Sequence, residues 1–172
     1  MNFTLAQLLK QGGVAVIPTD TIYGIVGSAL KRKTVERIYR LRKRNPKKPF
    51  IILISSSREL SHFGIRADAR VRAFLDKVWP GPVSVILPCP SPKFRYLHRG
   101  TKTLAFRVPK PKALRALLAK TGPLVAPSAN PEGKLPARTV GEAKRYFGDG
   151  VDWYGGKGVK RGAPSLLIEI KR

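Results

Sequence analysis

The 172-residue chain has little of what most enzymes use for acid–base and metal chemistry: one cysteine, two histidines and ten carboxylates. A lone thiol, Cys89 between Pro88 and Pro90, excludes an internal disulfide framework and a cysteine-rich zinc site. His62 and His98 do not stand at metal-ligand spacing, and neither a Gly-x-Ser-x-Gly elbow nor a Gly-x-x-x-x-Gly-Lys-Ser/Thr phosphate loop occurs. Most of the acids lie alone among basic or apolar neighbours, which argues against two-metal nuclease and glycosidase chemistry. No apolar run approaches the roughly 20 residues that span a bilayer, and Lys10 interrupts the N-terminal segment before it can act as a signal peptide. A cytoplasmic location is expected.

What the chain has in excess is positive charge. Lys and Arg number 34 against 10 Asp and Glu, a formal net charge of +24, which attracts polyanions and speeds encounter with them. The cations cluster in Lys31-Arg32-Lys33, Arg37 to Lys48, Arg66 to Lys77 and Lys157 to Arg161. Sequence leaves open whether these form one groove or several faces. A solvated basic surface and contact with nucleic acid are both readings of such an imbalance.

Hydrophobic spacing predicts alternating helices and strands. Leu5, Leu8 and Leu9 behind a Thr4 cap predict a short helix, and Val14 to Ile17 the first strand. Val35, Ile38 and Leu41 share one face of a basic helix, and Phe50 to Ile54 read as a buried strand. Val71, Phe74, Leu75 and Val78 predict a helix that must end before Trp79-Pro80-Gly81-Pro82. Val83 to Leu87 and Leu104 to Val108 are strands flanking a proline-rich connection from Pro88 to Lys102, whose position over or beside a cavity is open. Pro111 starts a helix that Gly122 ends, Leu124 to Ala126 form a strand, and Thr139 with Glu142 marks a capping box. Leu166 to Ile170 is the last strand. No repeat or linker divides the sequence, so residues 1–172 read as a single α/β domain, one sheet with helices against it.

Two of these strands run into polar clusters. Val14 to Ile17 leads to Pro18-Thr19-Asp20-Thr21-Ile22-Tyr23-Gly24, read as a turn in which Pro18 ends the ladder and Gly24 supplies an unusual backbone angle. Leu124 to Ala126 leads to Pro127-Ser128-Ala129-Asn130. Strand ends in open α/β sheets converge on ligand crevices, so the two clusters are expected to face one pocket. Arg42-Lys43-Arg44 and Lys47-Lys48 supply charge for phosphates.

Taken in order, Pro18 to Gly24, Arg42 to Pro49, Trp79 to Pro82, Leu104 to Pro109, Ser128-Ala129-Asn130 and Pro164-Ser165 resemble the YrdC-type threonylcarbamoyl-AMP synthases, over about Phe3 to Ile170. The resemblance implies a twisted, mostly open α/β fold around a large basic cavity. It also implies a reaction that joins L-threonine, bicarbonate and ATP into threonylcarbamoyl-AMP and pyrophosphate, for threonylcarbamoyl-adenosine in tRNA. Carried over by position, Thr21, Tyr23, Arg107 and Ser165 fall on the threonine side, with Arg107 pairing the carboxylate. Arg42, Arg44, Lys48, Thr103, Ser128, Asn130 and Pro136 fall on the nucleotide side. Arg44, Arg107 and Ser128 are the residues expected to matter most for catalysis.

Departures are visible too. Arg42 stands where the family's basic motif usually has Lys, Lys48 where Asn is common, and Leu53 where some members have His. Many members also continue past Lys171-Arg172 to another nucleotide-contacting Arg, for which Arg172 is the substitute here. Mg²⁺ is expected to arrive with ATP, without a protein metal cage. Expected partners are tRNA or double-stranded RNA and a companion transferase. The rival reading is a non-catalytic double-stranded RNA-binding or RNA-maturation module on the same fold. Carbamoyl transfer within a larger maturation enzyme is disfavoured, because no acylphosphatase or zinc-finger segment is present.

Overall fold

In a computed structural model, residues 4–170 are described. The element order is α1 (Leu5–Gln11), β1 (Ala15–Pro18), β2 (Tyr23–Ser28), α2 (Arg32–Arg42), β3 (Ile51–Leu53), α3 (Ala69–Val78), β4 (Val83–Pro88), α4 (Arg95–His98), β5 (Thr103–Arg107), α5 (Lys112–Thr121), β6 (Leu124–Val125), α6 (Val140–Phe147), β7 (Trp153–Tyr154) and β8 (Leu166–Glu169). The strands form one eight-stranded mixed sheet in the order β7-β1-β2-β6-β3-β5-β4-β8. No described helix is long and apolar enough to cross a membrane.

Alternation along β1 and β2 splits the core into two layers. Val14, Val16, Tyr23 and Ile25 face one layer with Val35 and Ile38 of α2 and Phe147 of α6. Ala15, Ile17 and Val26 face the other, where Leu9 of α1 and Leu114 and Leu118 of α5 cover them. Leu53 is fully buried in this second layer, where its side chain packs in the core.

Local chemistry sets the helix ends. The Thr4 hydroxyl accepts from the Gln7 N–H, and the Gln7 side chain accepts from the Thr4 N–H, a complete capping box. At Thr139 only half of the expected box forms: its hydroxyl caps Glu142 N–H, while the Glu142 carboxylate accepts from Arg138 N–H instead.

The first motif differs from its reading as a turn. Pro18 is the last residue of β1 and pairs with Tyr23, and Tyr23 and Gly24 belong to β2. Gly24 is not among the residues of positive φ, so no special backbone angle explains it. The reason is space: a Cβ there would lie 3.2 Å from the Thr19 methyl and 3.4 Å from the Pro127 carbonyl oxygen. That closeness lets Gly24 bridge to Ser128 and brings the two polar clusters side by side.

Candidate active site

A cavity of about 260 Å³ opens where β1, β5 and β6 end and β3 begins. Thr21 from the β1–β2 turn, Arg107 from the end of β5, Ser128 after β6 and Ser165 before β8 line it, together with Arg42 and Arg44 from the end of α2. The sheet therefore gathers six of the expected side chains from five remote segments.

The β1–β2 turn is built on Thr19. Its hydroxyl donates to the Ile22 carbonyl at 2.7 Å and accepts from the backbone N–H groups of Thr21 and Ile22. The Thr21 hydroxyl lies 3.1 Å from it. Because the Thr19 proton and both its lone pairs are already committed, the Thr21 hydroxyl beside it keeps acceptor and donor capacity for the cavity it lines. Tyr23 lies behind this wall, fully buried, its hydroxyl donating to the Gly158 carbonyl.

Arg107 and Asp20 form a buried ion pair at 3.1 Å, with side chains 4% and 6% exposed. Charge contact is not matched by a directed hydrogen bond, and both Asp20 oxygens and Arg107 Nε lack hydrogen-bond partners. Burial lowers the Arg107 pKa, and Asp20 opposes that shift. A guanidinium held this way retains donors for a second carboxylate.

On the opposite wall, α2 ends at Lys43 in a left-handed conformation (φ 49°), which turns Arg42 and Arg44 to the cavity and leaves Lys43 exposed. Arg42 Nε donates to the Asn130 carbonyl at 2.9 Å, and its Nη2 donates to Ser128 Oγ at 3.2 Å. Burial, and then the neighbouring Arg44, push the Arg42 pKa down to about 10, so it stays cationic at neutral pH. Ser128 accepts from Arg42 and keeps its own proton to donate. Asn130 does not line the cavity; it donates to the Pro131 and Lys134 carbonyls and fixes the loop that grips Arg42.

Glu132, which the sequence did not single out, draws the basic loop together. Its carboxylate accepts from Asn45 N–H at 2.7 Å, pairs with Lys48 at 3.2 Å and lies 3.6 Å from Arg44. Lys48 is thereby turned to solvent, outside the cavity lining. Thr103 is also outside it, at the opposite end of β5 from Arg107, with its hydroxyl donating to Thr101. Pro136 lines an adjoining cavity of about 350 Å³ with Arg138, Lys160 and Arg161, and Ile22 and Pro164 are shared with the first. Arg172 lies outside the described residues.

The segment 155–165 crosses this region, with Lys160 N–H donating to the Arg138 carbonyl. The connection from Pro88 to Lys102, whose position the sequence left open, packs elsewhere: Tyr96 donates to the Ala29 carbonyl and Arg99 pairs with Glu36 of α2.

Behind the cavity wall runs a column of planar groups. The Arg99 guanidinium lies 3.9 Å from the Tyr39 ring centroid, Tyr39 stacks on Phe50 at 4.0 Å, and Arg42 sits 5.9 Å from Phe50 on the cavity side.

Among the described residues no group of three or more His, Cys, Asp or Glu side chains lies together as a metal cage. The carboxylates beside the cavity, Asp20 and Glu132, are already engaged by arginines and a lysine.

The family model Sua5_yciO_yrdC, described as "Telomere recombination", matches residues 7–172. The threonylcarbamoyl-AMP synthase of Marinobacter nauticus is 36% identical over 170 residues, covering 95% of this chain and 88% of that one. The protein of the same name from Halorhodospira halophila is 34% identical over 148 residues, 86% of this chain and 78% of that one. P. abyssi Sua5, solved in complex with L-threonine, superposes with a TM-score of 0.87 at 28% identity over 96% of this chain and 49% of that one. The chain thus spans about half the length of the archaeal protein.

Proposed function

The chain belongs to the Sua5/YciO/YrdC family, and from that premise we propose that it is an L-threonylcarbamoyladenylate synthase, making threonylcarbamoyl-AMP and pyrophosphate from L-threonine, bicarbonate and ATP. The observation that carries this reading is the cavity itself, where an acceptor-bearing Thr21 and the Arg107–Asp20 pair face Arg42, Arg44 and Ser128. An amino acid and a polyphosphate are the two ligands such opposed walls suit.

In this reading Arg107 holds the threonine carboxylate, and Thr21 accepts from a donor of the amino acid. Ser165, 2.9 Å from the buried Ser84 hydroxyl, closes that end. Arg42, Arg44 and the Ser128 hydroxyl take the phosphates. The adjoining cavity that Pro136 lines accommodates the far end of the nucleotide. The threonine ammonium and bicarbonate combine as a carbamate with release of water and one proton to solvent, and the carbamate oxygen attacks the α-phosphorus while pyrophosphate leaves. The chain's contribution is to hold two anions in line and stabilise charge on the phosphoryl oxygens, which requires neither a covalent nucleophile nor a protein base. With Asp20 and Glu132 engaged, Mg²⁺ is held by the nucleotide it accompanies. The product serves a tRNA adenosine through a companion transferase.

Pyrophosphate release tests the proposal. Purified protein given ATP, bicarbonate and threonine is expected to release pyrophosphate and form a product with the mass of threonylcarbamoyl-AMP, and omission of threonine abolishes both. Absence of both products from folded protein overturns the synthase reading and leaves the non-catalytic RNA-binding module.

A further inference from the structure

Away from the substrate cavity, between the start of α2 and the corner at residues 91–101, lies a separate hollow of about 400 Å³. Arg32, Lys93, Arg95 and Arg99 line it against a single carboxylate, Glu36. Arg32, Lys93 and Arg95 are exposed, but Arg99 is not: its side chain is 12% exposed.

The corner is built to hold Arg99 in place. Gly100 N–H donates to His98 Nδ1, so the proton is on Nε2, which donates to the Ser91 carbonyl. Thr101 donates to the His98 carbonyl at 2.7 Å. Arg99 itself takes a left-handed backbone (φ 52°), uncommon for a side chain with a Cβ. Its guanidinium is clamped on the Tyr39 ring with Nη2 3.1 Å from the Glu36 carboxylate, and Nε and Nη2 are both buried from solvent, so the group is fixed in place where it lines the hollow. A rigid guanidinium beside three exposed cations, with only Glu36 to offset the four, matches a group with several acceptor oxygens and more than one negative charge.

We infer that this hollow is a second anion site, for phosphate groups, with Arg99 as its fixed donor and Arg32, Lys93 and Arg95 as its rim. The phosphate comes from a free ion or from the backbone of an RNA strand. The inference does not rest on the synthase reading, since a chain that releases no pyrophosphate still binds phosphate here.

Nitrogen-15 spectra of the full chain, with the Arg99 Nε resonance assigned through Arg99→Lys, are read during titration with inorganic phosphate and, separately, with a short RNA duplex. A shift of that resonance with either probe is expected. The Arg32→Ala/Arg95→Ala variant should weaken that probe about tenfold, with threonine-dependent pyrophosphate release unchanged. For RNA, loss of two phosphate contacts lowers the slope of log affinity against log salt by about 1.8. A shift with inorganic phosphate and an intact RNA slope assigns the site to free phosphate; a reduced RNA slope assigns it to the strand. No shift with either probe, together with an unchanged slope, overturns the site.

Discussion

Arg107 carries two burdens, a buried charge and, in the proposed reaction, the threonine carboxylate. Arg107→Met strands the Asp20 carboxylate in the interior and is expected to cost about 3–5 kcal/mol in urea denaturation. Asp20→Asn/Arg107→Met should recover most of that loss, because no unpaired buried charge remains. Both variants should raise the threonine KM by about 10- to 100-fold, the worth of a charge-assisted hydrogen bond. A stability loss repaired without repair of KM separates the two burdens. Thr21 and Ser128 were legible because each follows a readable strand, whereas Arg107 and Ser165 were named only through the family resemblance, and all four line the cavity. Glu132 was not, since its partners Asn45 and Lys48 lie 87 and 84 positions away and no local pattern joins them. The same distance hid the fate of Lys48, which a charge run presents as a phosphate ligand and Glu132 diverts.

At the scale of elements, amphipathic helices announced themselves and short strands did not. Val35 and Ile38 set the face of α2, and Leu114 and Leu118 that of α5. β2 escaped because Tyr23–Ser28 is buried on both faces and interrupted by two glycines, which removes the alternation that marks a strand. β7 has two residues and no pattern to read. The segment 155–165 offered a basic cluster and the Pro164-Ser165 motif but no helix or strand pattern, yet it forms part of the cavity wall. At Gly162 an added Cβ would sit 2.1 Å from the Thr21 carbonyl oxygen, so this segment touches the substrate turn backbone to backbone. Gly162→Ala is expected to lift the segment, lower threonine affinity in calorimetry and speed proteolytic cleavage near Lys157–Arg161, with the melting temperature nearly unchanged. Retained affinity would separate the segment from the threonine side.

Over the whole molecule, the balance of charge dominates. The net charge of +24 makes the compact state repel itself, so raising sodium chloride from low to moderate concentration should increase the melting temperature in thermal denaturation. One acid works against this at long range. Asp152 accepts from Arg37 at 2.7 and 2.9 Å and from Val14 N–H at 2.8 Å, fastening α2 to the edge of the sheet, so Arg37 is a structural cation. The Arg37 hydrogen bond comes first among the causes that hold the Asp152 carboxyl below its ordinary value near 3.8. A depressed carboxylate pKa gives stability that is complete above that value and is lost as pH falls through the lower folded one. Asp152→Asn should therefore be less stable than the parent near pH 7, and the two should converge as pH falls below 3.8.

The Arg99–Tyr39–Phe50–Arg42 column has a consequence for inheritance. Two cations on opposite sides of the wall rest on one spine of aromatic carbon, so Phe50 answers to both at once. Phe50→Leu should loosen Arg42 and Arg99 together, visible as line broadening of both guanidinium resonances. A position under two masters cannot be tuned for either alone, and variation in this chain has to flow around it.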